Sequence, residues 1–196
     1  SELDNELNTV IVQPDRVLFQ CACPERRDSG PWAWPLEAGI KKLQILAEQA
    51  IPAGVALGNC RRSALNLNLL RNVAASSEAV AFISPKMGME IPADAMDIQF
   101  QINRRLQTAV DGMGLNRVMR FSTSAVQNVE MVFNERSAAV KRAKERQLAL
   151  LLLDVNTIPT GEIIQSQQLE AIMGEIVAEG IRLAQDGTVQ GLNATS

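Results

Sequence analysis

The chain has 196 residues, a mass of 21.4 kDa, a net charge of −3 and a mean hydropathy of +0.00, and it contains neither histidine nor tyrosine. These values are typical of a folded protein, and they predict one domain spanning 1–196 with flexible tails at 1–8 and 187–196. The absence of histidine excludes Ser-His-Asp and Cys-His nucleophile systems and imidazole as a general base. The longest apolar run, residues 148–153, is far below the roughly 20 residues needed to cross a bilayer, so no membrane span is expected.

Near the N-terminus, the pattern predicts a β-hairpin with strands at 10–12 and 16–23, because Pro14 and Asp15 favour a turn between two apolar segments. A loop follows, in which Pro31 and Pro35 flank Trp32 and Trp34 and restrict their backbone. Tryptophan is enriched in the parts of interfaces that carry most of the binding energy, so Trp32 and Trp34 are candidate partner-binding residues. The alternative is that they cover the core of their own domain.

The middle of the chain is predicted to be mainly helical. Leu36, Ile40, Leu43 and Ala47 share a helical face, so a helix is expected from 36 to about 50, ending before Pro52. A second helix is expected at 61–75, and a short strand at 79–83 before Pro85. Residues 91–113 fit either an alternating strand or a helix, and the helix is preferred.

The last third is predicted to contain two helices. Apolar residues recur near helical spacing from Ser122 or Ser124 to about Asp154 without Gly or Pro, which predicts a helix of some thirty residues. Such a helix would be about 45 Å long and would extend beyond a small domain. The final helix is expected at 162–184, with Thr160 as a candidate cap. The predicted fold is therefore α+β but predominantly α-helical: a small N-terminal β-hairpin or sheet packs on a helical bundle that contains one long helix at about 124–154.

The charge is unevenly distributed. Residues 1–60 carry five basic and eight acidic groups, residues 61–146 carry thirteen and eight, and residues 147–196 carry one and six. Unlike surfaces on copies of one protein attract each other, so this order favours self-association. The basic groups that form the candidate partner-binding segment are Arg136, Lys141, Arg142, Lys144 and Arg146. Because guanidinium pairs well with phosphate, the same segment is the basis of an alternative function in nucleic-acid binding.

Three cysteines could supply thiolates to a metal, but a fourth ligand would have to be a carboxylate, because histidine is absent. The simpler interpretation is that Cys21, Cys23 and Cys60 are small apolar residues, and neither a metal nor a cofactor is expected. Their odd number favours a reducing compartment, so we expect a cytoplasmic protein or a part of a soluble macromolecular assembly.

Three functions remain open. The preferred hypothesis is a non-catalytic structural or assembly protein that acts through homotypic or scaffold contacts, with a homo-oligomer or larger protein assembly as its partner. The first alternative is a nucleic-acid-binding accessory protein that uses the basic middle region. The second is an enzyme with carboxylate or cofactor chemistry, for which the only candidate residues are Asp94, Asp97, Glu175 and Glu179.

Overall fold

The structure is a computed structural model that describes residues 7–13, 16–22, 35–57, 60–110, 112–126, 129–134, 137–142, 145–159 and 161–193. Its helices are α1 (Leu36–Leu57), α2 (Ser76–Met87), α3 (Ser166–Asp186) and a short 3-10 helix (Val189–Asn193). Its strands are β1 (Leu7–Gln13), β2 (Arg16–Ala22), β3 (Ala64–Val73), β4 (Gln99–Gln107), β5 (Gly114–Val126), β6 (Val129–Asn134), β7 (Ser137–Arg142) and β8 (Arg146–Thr157).

The centre of the fold is a four-stranded antiparallel sheet in the order β3-β8-β5-β4. The predicted, predominantly α-helical bundle is therefore wrong, because the chain is a mixed α+β protein built on this sheet. Two further hairpins accompany it: β1 pairs with β2, where a hairpin was predicted, and β6 pairs with β7.

The predicted helix at 61–75 is wrong, because this segment is the strand β3. Leucines four residues apart, such as Leu65 and Leu69, fit a helical stripe, but they also lie on one face of a strand. Leu67 lies between them, and Asn66 and Asn68 occupy the other face, so the period is two.

The predicted strand at 79–83 is wrong, and within 91–113 the strand alternative is correct where the helix was preferred. The first belongs to α2, whose buried residues Ala79, Val80, Ile83 and Met87 follow helical spacing, with Pro85 inside the last turn. The second contains β4, so the alternation that starts at Ile98 and continues through Phe100 and Ile102 marks a strand.

The predicted long helix at about 124–154 is wrong as well. This stretch contains the end of β5, the β6–β7 hairpin and most of β8. β8 carries Leu148, Leu150 and Leu152 on one face and Leu151 and Leu153 on the other, so its run of leucines conceals the strand period.

The outer helices agree better with the predictions. α1 begins at Leu36 as expected but continues through Pro52 to Leu57. It packs on α3, where a Cβ at Gly54 would come within 3.4 Å of the Met173 sulfur. α3 confirms the predicted last helix, although it starts at Ser166, and Thr160 lies outside the described residues.

The core lies between one face of the sheet and helices α2 and α3. Leu115, Met119 and Phe121 of β5 alternate with less buried residues, and Leu151, Leu153 and Val155 of β8 do the same. The residues that fill the helix side of this core are Ile83, Leu169, Ile172, Ile176 and Leu183. The other face of the sheet receives none of the described helices.

Candidate interaction surface

The face of the sheet opposite the helices is the main candidate site, and we call it the open sheet face. Its residues follow from the register, because alternate residues of each strand share a face. They are Ala64, Asn66, Asn68, Leu70 and Asn72 of β3; Leu148, Leu150, Leu152, Asp154 and Asn156 of β8; Asn116, Val118, Arg120, Ser122 and Ser124 of β5; and Gln99, Gln101, Asn103, Arg105 and Gln107 of β4.

Amide side chains dominate this face and form hydrogen bonds across the strands. Asn116 Nδ2 donates to Asn156 Oδ1 at 3.3 Å, and Asn156 Nδ2 donates to Asp154 Oδ1 at 2.8 Å. Arg120 donates to Gln101 Oε1 from Nε at 2.9 Å and from Nη2 at 2.6 Å. These hydrogen bonds hold polar side chains in place between β5 and β8 and between β5 and β4.

Aliphatic side chains lie between these amides. Leu70, Val118, Leu150 and Leu152 are half-buried, and none of them belongs to the core cluster beneath the helices. Aliphatic groups next to amides that can donate and accept hydrogen bonds resemble the mixed composition of a protein–protein interface. The surface offers apolar contact area together with groups that can bond to a partner's backbone.

The two edge strands complete the surface. β3 and β4 are the outer strands of the sheet, and no other described strand pairs with them. Each edge presents backbone N–H and C=O groups that have no partner within the sheet, and such rows are templates for pairing with another chain.

A second feature, on the helix side, is an ion-pair cluster of Arg117, Glu179 and Arg182. Arg117 of β5 is 3% exposed and Glu179 of α3 is 6% exposed. Arg117 Nη1 donates to Glu179 Oε1 at 3.0 Å, and Arg182 donates to both oxygens of the same carboxylate at 2.6 and 2.7 Å. The cluster therefore joins the sheet to α3 through charged hydrogen bonds.

These contacts shift the pKa values of Glu179 and Arg182. Burial raises the pKa of Glu179, but the hydrogen bonds from Arg182 and Arg117 and their positive charges act in the opposite direction and bring it below 4.5. The hydrogen bond to Glu179 raises the pKa of Arg182, against the effect of burial. Glu179 and Arg182 are consequently charged at neutral pH, which fits an anchoring role better than proton transfer.

The same cluster holds the C-terminal 3-10 helix. Arg117 Nη2 donates to the carbonyl of Leu192 and Arg182 Nη2 to that of Gly191, each at 2.9 Å, and Arg104 bonds the side chain of Asn193. Leu192 is 1% exposed. Residues 187–193 fall within the range for which a flexible tail was expected, and they are packed against the core at this point.

Four carboxylates are the candidate catalytic residues of the enzyme hypothesis. Asp94 and Asp97 are exposed between α2 and β4, and Glu175 accepts a hydrogen bond from the Ala109 backbone N–H at 3.2 Å. Glu179 is engaged by two arginines. Within the described ranges, no group of three or more Cys, Asp or Glu residues could hold a metal ion.

The structure describes only some of the predicted partner-binding residues. Trp32, Trp34, Arg136 and Lys144 lie outside the described residues, while Lys141 and Arg142 belong to β7 and Arg146 begins β8. The prediction that this basic segment lies on a helix is wrong, because its described residues are in strands. Its role in binding stays a prediction.

The structure describes two of the three cysteines. Cys21 is in β2, and Cys23 lies outside the described residues. Cys60 forms an isolated bridge with Ile164, and its thiol contacts the Arg62 carbonyl oxygen at 3.0 Å.

Sequence reasoning missed the open sheet face, although a signal for it exists. The alternation of Leu and Asn at 65–68, and of Gln and Asn with Phe and Ile at 99–103, marks strands with one amide face. Neither alternation was interpreted as a surface, because the first segment was predicted to be a helix and a helix was preferred over a strand for the second.

Among the described residues, no helix has both the length and the apolar character required for a membrane crossing. The chain matches no known protein-family model, and no curated protein matches it in sequence.

Proposed function

We propose that this protein is a non-catalytic structural or assembly protein that acts through homotypic or scaffold protein contacts, as a homo-oligomer or within a larger protein assembly. We further propose that it works in the cytoplasm or in a soluble macromolecular assembly. The open sheet face and its two edge strands are the proposed contact surface.

The observation that carries this proposal is the uneven covering of the sheet. Helices α2 and α3 pack on one face, and none of the described helices packs on the other. On that open sheet face Leu148 is buried, but Leu70, Leu150 and Leu152 remain half-buried. A partner that covers these side chains would gain about 25 cal/mol for each Å² of apolar surface removed from water. The neighbouring amides would provide the hydrogen bonds that such a contact needs.

Two further points favour protein contact over the alternatives. The chain lacks histidine and tyrosine, and Glu179 is held in ion pairs, which leaves little support for acid–base catalysis. The open sheet face includes Arg105 and Arg120 but no aromatic residue at any of its register positions. Single-stranded nucleic acids generally stack on aromatic side chains, so this surface suits a protein partner better.

Sedimentation of a matched pair of variants tests the proposal. Leu152→Gln changes the centre of the open sheet face, and Met96→Gln makes the same kind of change at a residue that is 76% exposed in a loop. We expect the wild type and Met96→Gln to form assemblies of more than one chain, and Leu152→Gln to assemble about tenfold or more weakly. A wild type that is monomeric at every concentration would contradict the assembly role. Equal assembly of both variants would show that the contact lies elsewhere.

A further inference from the structure

The outer edge of β3 is unusually well suited to pairing. The strand has ten residues and follows β8 in an unbroken register from Ala64–Asn156 to Val73–Gln147. Natural proteins usually protect an edge with charges, proline, a bulge or a short strand. Residues 64–70 contain no charge and no proline, and the register shows no bulge.

The hydrogen-bond pattern identifies which backbone groups face outward. The Thr157 N–H donates to the Ser63 carbonyl at 2.9 Å, so this opposed pair is joined by a backbone hydrogen bond. Such pairs alternate along an antiparallel ladder. The backbone groups of Leu65, Leu67 and Leu69 therefore point to β8, while those of Asn66, Asn68 and Leu70 point away from the sheet.

The β3 edge is also complementary to itself. A two-fold axis perpendicular to the sheet places two copies of β3 antiparallel and keeps like faces together. Asn66 and Asn68 then meet amides on the open sheet face, and Leu65 and Leu67 meet leucines on the helix side. Uncharged pairs of this kind add contact without repulsion.

The β4 edge lacks this property. It carries Arg104 and Arg105 near its middle, so pairing with a second β4 would bring two guanidinium groups together on each face of the joined sheet. Like charges on neighbouring strands are destabilising. In β3 the only charge is Arg71, near one end, where its guanidinium lies 4.3 Å from the centre of the Phe82 ring.

We propose that the β3 edge pairs antiparallel with the β3 edge of a second copy of this chain about a two-fold axis, forming an eight-stranded sheet with one continuous open face. The proposal rests on the assembly role and adds a separate homotypic contact, at the edge of the sheet, to the contact on the open sheet face that Leu152→Gln tests. Two-fold dimers are the commonest closed assemblies of soluble proteins.

A pair of proline variants tests this contact. Asn68→Pro removes an outward N–H from β3 and places a ring at the edge, a position where proline is compatible with a sheet. Asn103→Pro is the matched control, because the hydrogen bond from the Thr123 N–H to the Ile98 carbonyl at 3.1 Å shows that Asn103 faces outward on β4. We expect Asn68→Pro to weaken the dimer about 10- to 100-fold and Asn103→Pro to leave it unchanged, as measured by sedimentation equilibrium.

Asn68→Lys and Asn103→Lys form a second pair, which keeps the test decisive if a proline variant fails to fold. A lysine at the edge also opposes strand pairing, so only Asn68→Lys should weaken the dimer. A wild type that assembles but responds to neither Asn68 variant would overturn the β3 contact and leave the assembly role intact. A monomeric wild type would overturn both.

Discussion

At the scale of single residues, Glu179 carries the clearest energetic consequence. Its carboxylate lies between the guanidinium groups of Arg117 and Arg182, and its side chain is 6% exposed. Removing one partner from a buried ion pair leaves the opposite charge in a poorly solvated position. This anchoring bond could not be predicted from the sequence, because residues 117 and 179 meet only after the sheet and α3 have packed.

We therefore expect Glu179→Gln to lower the free energy of unfolding by about 3 kcal/mol. Urea unfolding followed by circular dichroism measures the change. Glu170→Gln, at an exposed position of the same helix, should alter stability by less than about 0.5 kcal/mol. Equal effects of the two substitutions would remove the energetic role of the cluster.

The lowered pKa of Glu179 also predicts a pH dependence. The folded protein binds the Glu179 proton less tightly than the unfolded chain does, so its contribution to stability is complete above about pH 4.5 and is lost as the pH falls through the folded-state pKa. The difference in unfolding free energy between wild type and Glu179→Gln should thus shrink below about pH 4.5. A difference that stays constant down to about pH 3 would contradict this account.

At the scale of elements, two glycines in α3 differ in their surroundings. A Cβ at Gly174 would meet no atom within 4 Å, whereas a Cβ at Gly180 would lie 2.5 Å from Leu65 Cδ2 and 3.6 Å from Leu67 Cδ1. Gly180 therefore permits the close approach of α3 to β3, while Gly174 serves no such contact in the described structure.

This contrast predicts opposite effects of one substitution. Gly174→Ala should raise the free energy of unfolding by about 0.5–1 kcal/mol, because alanine favours the helix. Gly180→Ala has the same helical advantage but forces Leu65 to move, so it should be less stable than Gly174→Ala by about 1–3 kcal/mol. Thermal unfolding of both variants measures this difference. Equal stabilities would show that α3 is not in close contact with β3 at Gly180.

The elements also show where sequence patterns sufficed. The first hairpin, α1 and α3 were predictable, because turn residues and a sustained helical stripe indicate them locally. β3 and β8 were not, for two different reasons. A spacing of four residues fits both a helix and a strand face, so Leu65 and Leu69 do not discriminate. In β8, leucines occupy both faces, so the alternation of a strand is hidden.

At the scale of the whole molecule, the charge order and the lack of histidine and tyrosine predicted an assembly protein, but not the surface that would perform the role. The open sheet face consists of residues from four strands that are far apart in the sequence. Once the strand order is known, the amide residues of β3 and β4 lie on either side of the aliphatic residues of the central strands.

Amide hydrogen exchange by NMR, recorded at low and high protein concentration, tests the central claim most directly. We expect Leu65, Leu67 and Leu69 to be protected at both concentrations, because their N–H groups bond to β8. Asn66, Asn68 and Leu70 should exchange rapidly in the dilute sample and become protected in the concentrated one. Rapid exchange of these outward amides at every concentration would contradict assembly through β3. Equal exchange of both sets in the dilute sample would contradict the strand itself.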